Sequence, residues 1–231
     1  SKGFVEGYYY KPRIDIELLE EYHEGIIALS ACLAGEVQKN LLRGMFEEAK
    51  QAALRYESIF GKGNFFLELQ DHGIPMQKTV NQGLLRMSQD TGIPLVATND
   101  CHYINREDEK SHDILLCIQT GKKVADENRM RYEGGQYYVK SEEEMKNLFP
   151  YALEALENTH KIAMRCNVEI EFGVTKIPQF DVPGGKTSWE YLNELCTSGF
   201  EKRYPEDDGS LRKRLDYELS VIQSMGYVDY F

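Results

Sequence analysis

Hydrophobic positions along the chain follow two rhythms that take turns. Short apolar clusters at 26–32, 64–70 and 94–99 are bounded by Gly, Pro, Asn or Asp and are too short for helices. They read as strands buried on both faces. Between them apolar residues recur every three or four positions. Val37, Leu41, Leu42, Met45, Ala49, Ala52, Ala53, Tyr56 and Phe60 predict one long amphipathic helix or a broken pair over 36–60, stopped by Gly61 and Gly63. Val80, Leu84, Leu85 and Met87 predict another over 75–91. Three strand-then-helix repeats argue for an α/β fold with a parallel sheet or barrel. Right-handed crossovers bring the strand ends to one side.

Helices are also predicted outside these repeats. Asp15 caps one over 17–22. A second runs over 106–119, with Ile114, Leu115 and Ile118 as its apolar face and Gly121 as its stop. Ser141 and Glu144 form a capping box for a third, ending at Leu148, and a fourth covers 150–166. Residues 122–140, with Gly134 and Gly135, read as a mixed loop or hairpin. The stretch 177–187, rich in Pro and Gly, reads as a linker between a unit at 1–176 and a helical segment at 188–231, whose helices span 189–200 and 211–225. That segment is expected to begin a further domain.

The strand ends carry the candidate chemistry. Leu95, Val96 and Ala97 run into Asn99, Asp100, Cys101 and His102. Asp100 and His102 are two apart, so they point the same way if the strand continues, and carboxylate plus imidazole suits zinc, manganese or iron. Cys32 follows the first strand in the same manner, as a thiolate ligand or a buried thiol. Asp71 and His72 suit a polar turn better than a metal site. His112 and His160, inside helices, read as solvated or satisfied. Tyr8, Tyr9 and Tyr10 beside Lys11 and Arg13 offer a stacking surface, although packing under a barrel rim is the preferred reading.

Composition narrows the picture. With 42% hydrophobic residues the chain can bury a sizeable core, and disorder is not indicated. A formal charge of −11 argues against a general nucleic-acid-coating surface, leaving Arg212, Lys213 and Arg214 as a local patch or a solvated helix face. Five scattered cysteines without a C-x-x-C pair argue against a disulfide framework and a zinc ribbon, and most are expected to be core thiols. No secretory leader and no apolar run near the roughly 18 residues of a membrane span is read, so a cytoplasmic protein is expected.

Four stretches in order, Gly7 to Asp15, Ala28-Leu29-Ser30-Ala31-Cys32-Leu33-Ala34-Gly35-Glu36, Thr98-Asn99-Asp100-Cys101-His102-Tyr103, and Tyr217 to Tyr227, resemble the DnaE-type α subunits of bacterial replicative DNA polymerase III. The resemblance implies that 1–176 is the later part of a polymerase and histidinol phosphatase (PHP) domain, a distorted (β/α)7 barrel with metal ions at its strand ends. It implies that 188–231 begins the palm and thumb region. Cys32, Asp100 and His102 occupy positions of metal ligands in that family, for zinc or manganese. The upstream ligands and the palm carboxylates, which use magnesium for polymerisation, have no counterpart in these residues, so no catalytic residue for polymerisation is expected here. The implied activities are DNA-templated DNA synthesis and 3′-5′ phosphodiester hydrolysis for proofreading. The implied partners are DNA, dNTPs, the sliding clamp and other replicase subunits, with no membrane, and exposed strand edges invite self-association. A PHP scaffold without metal chemistry and a free-standing PHP phosphoesterase are the alternatives.

Overall fold

All three expected strands form within their spans in the computed structural model, which describes residues 1–132, 134–174 and 180–231. They are β1 (Ala28–Leu29), β2 (Phe65–Leu69) and β3 (Leu95–Ala97), paired parallel in the order β1-β2-β3. Ala28 lies opposite Phe65, and Leu67 opposite Leu95. Ahead of β1 lie α1 (Lys2–Val5) and α2 (Ile16–Tyr22), the latter capped as expected, with Leu18 N donating to Asp15 Oδ1 at 2.9 Å.

The crossover from β1 to β2 is a broken pair of helices, α3 (Glu36–Leu42) and α4 (Phe46–Phe60). Gly44 makes the break by adopting φ 74°, a conformation that costs glycine little. The crossover from β2 to β3 is α5 (Pro75–Thr91), opened by Pro75 at its first position and closed by Gly92. Gly83 lets α5 approach α3, since a Cβ there would lie 2.9 Å from Leu41 Cδ2.

Alternation along β2 sorts its two faces. Phe65, Leu67 and Leu69 are buried among Ala49 and Ala53 of α4 and Val80, Leu84 and Met87 of α5. Burying one such side chain contributes about 1.5–3 kcal/mol. Glu68 and Gln70 take the opposite face. β3 is covered by α8 (Leu153–Arg165), whose Asn158 Nδ2 donates to the Leu95 carbonyl at 2.8 Å. Ahead of α8 come α6 (Glu109–Thr120), entered through a 3-10 turn at Arg106–Asp108, and α7 (Glu142–Leu148). The Ser141 and Glu144 capping box forms: Ser141 N donates to Glu144 Oε2 at 2.8 Å and Glu144 N to Ser141 Oγ at 3.2 Å.

Three expectations fail. The apolar face assigned to α6 points outward, with Ile114, Leu115 and Ile118 exposed, while Leu116 and Cys117 turn inward. The helix buries these two adjacent residues and not its widest apolar stripe. Tyr8, Tyr9 and Tyr10 are exposed instead of packing under a rim, the Tyr9 ring lying beneath the Arg13 guanidinium at 4.9 Å. The cysteines are all free, yet Cys117 alone is buried; Cys32, Cys101 and Cys166 are exposed. Of the mixed loop or hairpin expected over 122–140, the described residues take the loop form. Tyr138 makes a parallel bridge to Tyr103.

The chain divides into two compact units, Ser1–Asn167 and Val168–Phe231. Of the expected linker, residues 177–179 lie outside the described residues, and 183–185 form a 3-10 turn. The second unit holds α9 (Ser188–Arg203), with a Thr187 and Glu190 capping box, and α10 (Ser210–Ser224).

Candidate metal-binding turns

The chain leaves β3 under close control. Thr98 N donates to the Leu69 carbonyl at 3.0 Å, extending the ladder one step past the strand. Asn99 is buried and fully engaged. Its carbonyl accepts from His72 Nε2 at 2.8 Å, its Nδ2 donates to the Tyr138 carbonyl at 2.6 Å, and its Oδ1 accepts from Lys140 Nζ at 2.9 Å. Burial holds the Lys140 ammonium below its ordinary pKa of 10.5. With Asn99 pinned, Asp100 is driven to φ 46°, a left-handed conformation costing about 1–3 kcal/mol for a residue with a side chain.

His102 is then oriented by its backbone and by its ring. His102 N donates to the Tyr137 carbonyl at 2.7 Å, and Nδ1 donates to the Asp100 carbonyl at 2.8 Å. That second bond leaves Nε2 with the free lone pair, the arrangement in which an imidazole ligates a metal. Asp100 Oδ1 lies 3.8 Å from His102 Nδ1 and its carboxylate is exposed. Tyr132 and Tyr137 wall the imidazole, with ring centroids at 4.3 and 5.6 Å.

His112, read from sequence as a satisfied helix histidine, stands 5.3 Å from the His102 ring. Burial first, and then the neighbouring His102, hold it below its ordinary pKa of 6.5. No local spacing links residues 102 and 112; the 3-10 turn between them brings the first turn of α6 beside the residues that follow β3. Asp113, next along α6, receives both Arg129 guanidinium nitrogens, one at 2.6 Å, which holds its carboxyl below the ordinary range. This pair ties the loop bearing Tyr132 to α6.

Cys32 follows β1 through Ala31, which adopts φ 67°. The Ala31 amide donates to Glu68 Oε2 at 3.0 Å, while Gln38 Nε2 donates to Ser30 Oγ at 2.7 Å and to the Ala31 carbonyl at 2.9 Å. Cys32 itself is exposed and shares a small cavity with Glu68, Gln70 and Gln77. His72 is a structural residue. Its Nδ1 accepts from Gln77 Nε2 at 2.8 Å, its Nε2 is occupied by Asn99, and the ring stacks on Tyr137 at 4.2 Å.

The structure therefore brings Asp100 and His102 together on one turn and sets Cys32 on another, across β2. Among the described residues no three His, Cys, Asp or Glu side chains are gathered to hold a metal ion. The Asp100 and His102 pair does fit one in its donor chemistry, through an exposed carboxylate and a free Nε2.

A family model described as "PHP domain" matches residues 1–72, and one described as "Bacterial DNA polymerase III alpha NTPase domain" matches 190–231. Curated proteins titled "DNA polymerase III subunit alpha" align along essentially the whole chain. Those of Borreliella burgdorferi and Treponema pallidum are 45% and 44% identical over all of it, and that of Deinococcus radiodurans is 44% identical over 99%. The chain aligns along its length with a segment of DNA polymerase III subunit alpha. It spans about a fifth of the length of these relatives, 20%, 20% and 18% respectively. The PHP match ends at His72 and so contains β1 and β2, but the sheet does not end there. β3 pairs directly with β2 and carries Asp100 and His102 on from the matched stretch. Among the described residues no helix is long and apolar enough to cross a membrane.

Proposed function

We propose that the protein to which this segment belongs carries out DNA-templated DNA synthesis in the bacterial cytoplasm. Its substrates would be DNA and dNTPs with magnesium, and its partners the sliding clamp and other replicase subunits. Residues 1–176 are read as PHP domain and 188–231 as the start of the palm and thumb region. Within the PHP domain we assign metal binding to Asp100, His102 and Cys32, for zinc or manganese, in the service of 3′-5′ phosphodiester hydrolysis. The observation that carries this assignment is the strained Asp100 turn at the end of a parallel sheet, with His102 locked so that Nε2 is free. Strand ends of this kind are where α/β folds build sites. Asp100 supplies charge and His102 a nitrogen donor, with the two tyrosine rings flanking the imidazole. A divalent ion bound there supplies Lewis-acid polarisation and an activated water.

The test is made on an intact α subunit containing this segment. It is expected to retain zinc or manganese through dialysis and to remove 3′-terminal nucleotides. Asp100→Ala combined with His102→Ala is expected to abolish both while primer extension persists. A subunit that purifies metal-free, or unchanged nuclease activity in the double variant, overturns the assignment. A second reading, the PHP domain as a scaffold for other parts of the replicase, is favoured by the outward apolar face of α6.

A further inference from the structure

We infer that Glu68, the next-to-last residue of the middle strand, is a positioning residue that locks the turn presenting Cys32 to the turn presenting Asp100 and His102. This rests on reading those three residues as ligands, and it concerns what sets the distance between the two turns. Glu68 interrupts the apolar run of β2 and faces away from the helix-packed core. Its two carboxylate oxygens divide between the neighbouring strands. Oε2 accepts from the Ala31 amide, one residue before Cys32, at 3.0 Å; Oε1 accepts from the Thr98 hydroxyl, two residues before Asp100, at 2.5 Å. Gln70 Nε2 donates to Oε1 and to Thr98 Oγ1, both at 3.3 Å, and the Glu68 amide donates to Ser30 Oγ at 2.9 Å.

Each bond answers a need created by the backbone. The positive φ of Ala31 takes its N–H out of the ladder, and an amide so placed must find another acceptor. A half-buried carboxylate is costly without donors, and here it has them on both sides. Charge-assisted bonds are short and strong, so the carboxylate holds both turns at a set spacing. An apolar residue would fill the space and leave the two turns to move independently.

Hydrogen exchange on the 231-residue chain tests the brace. Glu68→Met is expected to speed exchange of the Ala31 amide and of 99–102 together, by about tenfold or more, while amides inside β2 and α5 keep their protection. Glu68→Gln can accept from Ala31 N and donate to Thr98 Oγ1, so it is expected to restore both turns. Thr98→Val should loosen 99–102 alone, and Thr98→Ser should not. Unchanged Ala31 exchange in Glu68→Met, or a response in only one turn, overturns the brace. If Glu68→Met fails to fold, the Thr98 pair decides: equal exchange at 99–102 in Thr98→Val and Thr98→Ser overturns it. In an intact α subunit, cobalt(II) affinity is expected to fall about 10–100-fold in Glu68→Met, with loss of the sulfur-to-cobalt charge-transfer band, and to recover in Glu68→Gln. Absence of that band from the unsubstituted protein overturns Cys32 as a ligand, while the exchange results still decide the brace.

Discussion

Ala31 and Asp100 share a backbone oddity, a positive φ in a residue that has a side chain, at 67° and 46°, yet their turns are held in different ways. Around Asp100 the support comes from both sides. His72 reaches in from the β2 turn, and the chain at 136–140 runs alongside, receiving bonds from Asn99 and His102. Among the described residues the support around Ala31 comes from β2 and α3 only, through Glu68 and Gln38, and Cys32 is left exposed. The difference follows from sheet position. β3 has a covering segment beyond it, whereas among the described residues β1 has only β2 as a strand neighbour. A turn flanked on two sides can be clamped through backbone carbonyls; a turn flanked on one side depends on side chains long enough to reach it.

The comparison can be broken most forcefully at the shared support. Leu67→Ala empties a fully buried position of β2 and is expected to cost about 2–5 kcal/mol in urea unfolding. Both turns should then lose exchange protection together; protection retained at one would show that β2 does not support both. His72→Ala removes the acceptor for Gln77 and the donor for the Asn99 carbonyl. Leaving buried groups unpaired is expected to cost about 2–3 kcal/mol, with faster exchange confined to 99–102 and none at Ala31.

The smallest effect lies just past the Cys32 turn. The Arg55 guanidinium, helped by the Tyr56 hydroxyl, holds the Glu36 carboxyl below its ordinary pKa of 4.5. A lowered carboxyl stabilises the fold above that ordinary value, and the contribution disappears as pH falls through the lowered one. Both partners are close to half exposed, so screening reduces the effect to about 0.5 kcal/mol. Urea midpoints of the native protein and Glu36→Gln should differ by that much at pH 7 and converge in acid. A gap that persists at acid pH would locate the effect elsewhere.

Much of this fold was legible in the sequence wherever the signal is local. Strand spans ended by Asn or Gly, the Asp15 and Ser141 caps, and the Gly121 stop depend on neighbours within four residues, and each forms. Asp100 and His102 stood out as candidates because two polar side chains of ligand type at a strand's end are an unusual ending for an apolar run, and the structure sets both on one turn. What was not legible depends on where the chain turns. His112 meets His102 only because of the 3-10 turn between them, and the outward face of α6 could not be told from an inward one by periodicity alone. Glu68 was not singled out: a lone acid inside Phe65–Leu69 is the one local signal it gives, and its partners at 31 and 98 come from the ends of separate strands.

The strand order β1-β2-β3 also has a consequence in time. Each strand pairs with the one made just before it, so every new strand meets an edge already synthesised, at the distance of a single crossover. A sheet of this kind can grow in the direction of translation, since no strand must wait for a distant partner to leave the ribosome. Glu68 then acts twice in that sequence: it first finds the Ala31 amide behind it, and only later the Thr98 hydroxyl ahead.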